Sequence, residues 1–130
     1  MIKSIDHIVL TAQNIEQTIT FYCDVLEMQL ESFTPPDGSP ARKALKFGDQ
    51  KINLHDAKAP YVPHAKNPTT GAIDICLLSD LPIQEWIKRF DLHDISIENG
   101  PVQKTGATGP LMSIYVRDPD GSLIEISNQI

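Results

Sequence analysis

The sequence predicts an α+β chain in which one pattern, a strand and a helix followed by several strands, occurs twice. The β-branched run 5–11 and the similar run 72–78 predict strands, and apolar residues at helical spacing follow each of them. When His7 is aligned with Asp74, and Asn53 with Glu125, the predicted strands and helices of the two halves coincide. These observations predict an internal repeat of about 60 residues, a size at which neither half could form a core alone.

In the first half, Asn14 stands where it can cap a helix. The apolar positions of that helix are Ile15, Ile19, Tyr22, Cys23 and Leu26. The turn-rich segment 34–40 predicts a loop. Two short strands, 44–47 and 51–55, flank Gly48 and predict a hairpin.

The segment 56–71 contains three prolines and predicts a connector. After the strand 72–78, Ser79 or Asp80 can cap a second helix. The apolar positions of this helix are Ile83, Trp86, Ile87 and Phe90. We then expect a strand over 95–98, a loop over 100–110, and a hairpin of 113–116 with 123–126 across the turn 118–121.

Composition excludes several classes of function. The chain has 130 residues, with 11 Lys and Arg against 17 Asp and Glu, for a net charge of −6. Such a balance argues against a nucleic-acid partner. The sequence has no apolar run long enough to span a membrane and no signal peptide. Cys23 and Cys76 lack the spacing of a zinc cluster and fall on apolar stripes, so we expect buried thiols in a cytoplasmic protein.

Five polar residues interrupt the apolar strands at positions that the repeat relates or places nearby. They are His7, Asn53, His55, Asp74 and Glu125. Imidazole and carboxylate groups together are the ligands of a divalent first-row metal. Alternating strands also expose one polar face to solvent as a rule. The spacing of these residues alone does not distinguish a metal site from a solvent-exposed polar face.

Three stretches carry a resemblance to a known family. The segments 5–11, 21–28 and 118–126 resemble the vicinal oxygen chelate superfamily, which includes glyoxalase I, extradiol dioxygenases, fosfomycin-resistance enzymes and bleomycin-resistance proteins. The segments 45–55 and 100–110 are similar to the glyoxalase domain-containing protein 5 group, which includes a bacterial virulence-associated relative. The resemblance covers essentially the whole chain.

This resemblance implies two βαβββ modules that form a cupped mixed sheet around a metal pocket. The whole chain, 1–130, is then a single domain, with module one at about 1–57, a connector at 58–70 and module two at about 71–130. It also implies a homodimer and a small-molecule substrate.

The family's ligand positions correspond to His7, Asn53, Asp74 and Glu125. Asp74 stands where relatives commonly have His, and the neutral amide of Asn53 is a poor ligand. We therefore expect His7, Asp74 and Glu125 to bind the metal, with His55 as the completing ligand. The expected metal is Fe, Mn, Ni, Co or Zn, and Glu125 is the expected catalytic residue.

Substrate contacts are expected from four residues. Tyr115 corresponds to a ligand-contacting Tyr of the fosfomycin-resistance enzymes, and Ser113 shares its strand face. Lys104 lies in the Gly- and Thr-rich stretch, where a basic side chain and bare amides suit an anionic oxygen. Asn53 is the fourth.

The resemblance thus implies a metal-dependent enzyme of the lyase/isomerase or extradiol-dioxygenase type, acting on a small substrate with vicinal oxygens. The alternative is a metal-free protein that binds a small molecule, as bleomycin-resistance proteins do.

Overall fold

The structure is a computed structural model that describes all residues from 1 to 130. The chain divides into two compact units, Met1–Thr70 and Gly71–Ile130. Each unit has the element order strand, helix, three strands, and each contains one four-stranded mixed sheet. The predicted α+β fold of two βαβββ modules is confirmed. No helix has the length and apolar character that a membrane span requires.

The first unit consists of one sheet and one helical segment. Its strands are β1 (His7–Ala12), β2 (Gln29–Phe33), β3 (Arg42–Phe47) and β4 (Gln50–Asp56). They lie in the order β1-β4-β3-β2, with β1 parallel to β4 and the other pairs antiparallel. The helix α1 (Ile15–Ile19) continues as a π-helical segment, Thr20–Val25.

The helix of the first unit begins as the sequence predicts. The Asn14 side chain accepts a hydrogen bond from the Gln17 backbone N–H at 3.0 Å, which satisfies one of the free amides of the first turn. Phe21, Tyr22 and Val25 are buried. The core of this unit therefore lies between the helical segment and the apolar face of the sheet, which presents Leu10, Leu45, Ile52 and Leu54.

The second unit repeats this arrangement. Its strands are β5 (Asp74–Leu78), β6 (Asn99–Gly106), β7 (Gly109–Arg117) and β8 (Leu123–Gln129), in the order β5-β8-β7-β6. Helix α2 (Ile83–Leu92) packs on β7 and β8 through Ile83, Trp86 and Phe90, all of which are buried. The Trp86 and Phe90 rings stack with centroids 5.7 Å apart.

Two sequence predictions about elements of the second unit are wrong. The segment 95–98 forms no strand, and the predicted loop over 100–110 is instead β6, a tight turn at Ala107 and Thr108, and the start of β7. The strand β6 is not recognisable from the sequence, because its Gly, Thr and Pro residues are typical of loops. A further strand, β2, has little apolar alternation and was not predicted.

The second helix does not use the predicted cap. Neither Ser79 nor Asp80 caps it; the N-cap residue is Pro82, and the Asn128 Oδ1 atom accepts from the Ile83 backbone N–H at 2.8 Å. The Asn128 amide also donates to the carbonyl oxygens of Ser79 and Leu81, each at 2.9 Å. A side chain from the last strand therefore closes the start of this helix.

We expect Asn128→Ala to lower the free energy of unfolding by about 2 kcal/mol, because three hydrogen bonds to partly buried backbone groups are lost. Urea denaturation followed by circular dichroism measures the effect. Asn67→Ala is the matched control, since the Asn67 side chain is exposed and we expect a change within about 0.5 kcal/mol. Equal stability of both variants would contradict the capping role of Asn128.

Candidate functional site

Each sheet has one apolar face and one polar face, and strand register decides which residues share the polar face. In the first unit, β1 pairs with β4 so that Val9 lies opposite Asn53, and Thr11 lies opposite His55. Because alternate residues of a strand share a face, His7, Asn53 and His55 lie on the same face of this sheet. The structure thus places these three predicted residues together on the polar face of the first sheet.

His7 forms a hydrogen-bonded pair with the residue that precedes it. Its Nδ1 atom lies 2.8 Å from Asp6 Oδ1, and this bond, together with the charge of His7, lowers the pKa of Asp6. The ionised carboxylate can only accept, so Nδ1 donates, and in the neutral form of the His7 ring the lone pair lies on Nε2. A carboxylate that orients one imidazole nitrogen while the other stays available is the usual support of a metal-binding histidine.

His55 is the most buried of the candidate ligands, with 5% of its surface exposed. The Tyr61 ring contacts it edge-on with a centroid distance of 5.2 Å. Burial lowers the pKa of His55, and the nearby charges of Arg42 and His64 lower it further, so the imidazole is neutral at pH 7. Its Nδ1 atom has no hydrogen-bond partner, and neither does Oδ1 of Asn53.

The polar face of the second sheet carries the acidic candidates. β5 pairs with β8 so that Asp74 lies opposite Leu123, and Cys76 lies opposite Glu125. On the other side of β8, Tyr115 of β7 lies opposite Glu125. Asp74, Glu125 and Tyr115 therefore share one face.

A chain of buried hydroxyl groups holds the Glu125 carboxylate. The Ser127 hydroxyl donates to Glu125 Oε2 at 3.3 Å and lies 2.7 Å from the Ser113 hydroxyl. Cys76 Sγ lies 3.2 Å from the same Ser127 oxygen. Because Ser127 has a single proton and donates it to Glu125, Ser113 and the Cys76 thiol are the donors to Ser127.

Tyr115 is the most perturbed acid of this face. Burial, followed by the hydrogen bond and the charge of Glu125, raises the pKa of Tyr115 to about 12. The phenol is therefore protonated at every physiological pH and can act only as a neutral hydrogen-bond donor or acceptor. The Lys104 ammonium group lies 5.8 Å from the centre of the Tyr115 ring.

Three of the sequence interpretations need correction here. Lys104 lies on strand β6, where its backbone pairs with Leu111 of β7, rather than in a loop. The Ser113 side chain is fully buried and bonded to Ser127, beneath the surface that a substrate would contact. Cys76 is exposed rather than buried, because it falls on the polar face of β5.

The chain contains no group of three or more His, Cys, Asp or Glu side chains arranged to hold a metal ion. The ligand set His7, Asp74, Glu125 and His55 thus stays a prediction. What the structure shows is that the candidates of each unit share one polar face of its sheet.

Sequence reasoning missed three residues of these faces: Arg42, Tyr61 and Ser127. Tyr61 packs on His55, Arg42 packs on Tyr61, and Ser127 connects Glu125 to Ser113. A signal existed for Ser127, since it occupies the position that the repeat relates to His55. The connector that carries Tyr61 has no periodicity from which its contact could be inferred.

Comparisons with known proteins agree with this architecture. A family model described as the Glyoxalase/Bleomycin resistance protein/Dioxygenase superfamily matches residues 4–126. Virulence protein STM3117 of Salmonella typhimurium is 47% identical over 130 residues, which cover 100% of this chain and 87% of that protein. Its crystal structure superposes with a TM-score of 0.89 and covers 100% of this chain and 99% of that one.

Two further proteins extend the similarity. Glyoxalase domain-containing protein RDO1 of Mycosarcoma maydis is 42% identical over 127 residues, which cover 98% of this chain and 69% of that protein. The crystal structure of lactoylglutathione lyase from Agrobacterium tumefaciens shares the fold, with a TM-score of 0.70 at 23% identity, and covers 96% of this chain and 92% of that one.

We expect Glu125→Gln to lower the pKa of Tyr115 below its value of about 12, because the carboxylate charge that disfavours the phenolate is removed. NMR titration of the tyrosine Cζ signals from pH 8 to 11.5, assigned with Tyr115→Phe, measures the shift. Glu85→Gln, at an exposed position of α2, is the control and should leave the Tyr115 signal unchanged. Identical titrations of wild type and Glu125→Gln would contradict the contact.

Proposed function

Because the chain belongs to the Glyoxalase/Bleomycin resistance protein/Dioxygenase superfamily, we propose that it is a divalent-metal-dependent enzyme acting on a small substrate with vicinal oxygens. The reaction is of the lyase/isomerase or extradiol-dioxygenase type, and the protein acts as a homodimer. The observation that carries the proposal is the Asp6–His7 pair, which leaves one imidazole nitrogen available to a metal.

His7, Asp74 and Glu125 are the proposed metal ligands, and either Asn53 or His55 completes the set. His7 lies level with Lys51, so Asn53 is two residues away along β4 and His55 is four, or about 13 Å of strand. His55, whose imidazole is neutral, is the completing ligand when Asn53 contacts the substrate.

A divalent ion held there would act as a Lewis acid toward two adjacent substrate oxygens. The protein's own groups then do the rest. The Glu125 carboxylate is held in place by the Ser127 hydroxyl, so it needs little reorganisation as charge develops in the substrate. Tyr115 keeps its proton and donates it to the Glu125 carboxylate, so the phenol helps to hold Glu125 in place.

Lys104 and Ser113 take different parts in this proposal. The Lys104 ammonium group places a positive charge next to the Tyr115 ring. This charge can attract an anionic substrate. Ser113 supports Ser127 from below and positions Glu125 through it.

A second candidate function is the binding of a small molecule without metal. Bleomycin-resistance proteins, named in the family description, are the precedent for this function. Metal content and turnover together distinguish the two functions.

For the enzyme, we expect one divalent ion per site by elemental analysis after gentle purification, and turnover in a metal-reconstituted screen. The screen covers the methylglyoxal–glutathione hemithioacetal, catechols and fosfomycin. Glu125→Ala should lower both metal occupancy and rate at least tenfold, whereas Glu85→Ala on α2 should change neither. A metal-free protein without turnover would support the binding function, and full activity of Glu125→Ala would refute the role of Glu125.

The Asp6–His7 pair gives a separate prediction. We expect Asp6→Asn to weaken metal binding about 10- to 100-fold, because the carboxylate that orients the His7 ring and raises its basicity is lost. Competition with a chelating dye measures the affinity. Asp49→Asn, at an exposed position of the turn between β3 and β4, is the matched control and should bind as wild type does. Equal affinities for all three proteins would exclude this role of Asp6.

A further inference from the structure

Three polar atoms on the polar face of the first sheet are buried and have no hydrogen-bond partner. They are Arg42 Nε, Asn53 Oδ1 and His55 Nδ1. The residues are cross-strand neighbours: Ala44 lies opposite Asn53, which places Arg42 level with His55. Each unpaired buried polar atom costs about 1–3 kcal/mol, so this face has hydrogen-bonding capacity that the chain itself does not use.

The Arg42 guanidinium group is held in place without an acid. It lies over the Tyr61 ring, 3.9 Å from the ring centre, and Tyr61 in turn contacts His55. None of the ion pairs in the chain includes Arg42. Asp37, the acid whose pKa the charge of Arg42 lowers, is bonded mainly to Ser39. The site therefore holds a positioned but uncompensated guanidinium, which is well suited to a planar anion.

The charge of the surrounding face favours an anion as well. Register places Lys46 opposite Lys51, so both side chains lie on the face that carries Arg42. Lys51 is held over the Phe33 ring at 3.9 Å. The acids near this face are Glu31 of β2 and Asp6, whose pKa the charges of Lys51 and Lys46 help to lower, so three cations stand against two acids. In a chain with a net charge of −6, such a local excess of positive charge attracts anionic ligands.

We infer that this face binds the carboxylate of a small substrate, with Arg42 as the anion-binding residue. A carboxylate alone would leave Asn53 Oδ1 unpaired, because that atom needs a donor. A hydroxyl group on the neighbouring carbon supplies the donor. The substrate class is therefore a 2-hydroxycarboxylate, whose adjacent oxygens are the vicinal pair of the proposed function, on which this assignment rests.

The second unit shows that the unpaired atoms are not a general feature of the repeat. Its positions equivalent to Arg42 and His55 are Ser113 and Ser127, whose hydroxyls bond to each other and to Glu125. None of the atoms in that network lacks a partner. The cluster of unpaired buried polar atoms is thus a property of the first unit.

Binding of lactate to metal-free protein tests the inference, with lactamide as the neutral analogue and propionate as the analogue without a hydroxyl. In ¹⁵N-edited NMR spectra we expect lactate to shift the Arg42 Nε–H signal, with at least tenfold higher affinity than lactamide and a higher affinity than propionate. Arg42→Gln should lower lactate affinity at least tenfold. Lys43→Gln, the neighbouring residue whose side chain pairs with Glu16, is the matched control and should bind as wild type does.

Equal binding of lactate and lactamide, or wild-type affinity in Arg42→Gln, would overturn the inference. Asn53→Ala gives a second measurement if Arg42→Gln does not fold: it should weaken lactate but not propionate, and equal losses would contradict the hydroxyl contact. These measurements use no metal and no turnover. Lactate binding without metal binding or catalysis would refute the proposed function alone, whereas turnover without lactate binding would refute the carboxylate site alone.

Discussion

Parallel pairing of the first and last strands of each unit is the constraint on which the candidate site depends. It sets Val9 beside Asn53 in one sheet and Cys76 beside Glu125 in the other. A shift by one residue would exchange the two faces of a strand and send Leu54 or Ile126 out of the core. The buried apolar face therefore fixes which polar side chains gather on the opposite face, and burial of Ile52, Leu54, Ile124 and Ile126 locks the register.

The two units use this shared geometry for different hydrogen-bonding arrangements. The face of the first sheet combines two imidazoles with Arg42, Lys46 and Lys51, and leaves polar atoms without partners. The face of the second sheet bears Asp74 and Glu125, and its hydroxyl groups satisfy one another. Unpaired buried polar groups lower the stability of the fold, whereas fully hydrogen-bonded groups hold their side chains in fixed positions. The repeat therefore gives both units the same backbone arrangement, with unpaired polar atoms in the first unit and a hydrogen-bonded hydroxyl network in the second.

Much of the architecture follows from local pattern. Short stretches of sequence are enough to predict the two runs of β-branched residues, the cap at Asn14, the apolar stripe of α2 and the turn 118–121. Each of these features is present in the structure. In that turn, Asp118 accepts from the amides of Asp120 and Ser122, and Gly121 adopts a positive φ of 92°. Local propensity was misleading where a strand is built from turn-forming residues, as in β6, because its partner β7 supplies the pairing that composition does not show.

The sequence by itself determined the repeat, the strand faces and the identity of the polar residues His7, Asn53, His55, Asp74 and Glu125, because alternation along a strand is a local property. Only the tertiary structure decided what those residues touch. It revealed the bond of Asp6 to His7, the support of Glu125 by Ser127, and the packing of Tyr61 between Arg42 and His55. It also moved Ser113 below the surface and Cys76 onto it. Most of these contacts join residues that are distant in the sequence, and their energies depend on burial and on hydrogen-bond partners that no local pattern encodes.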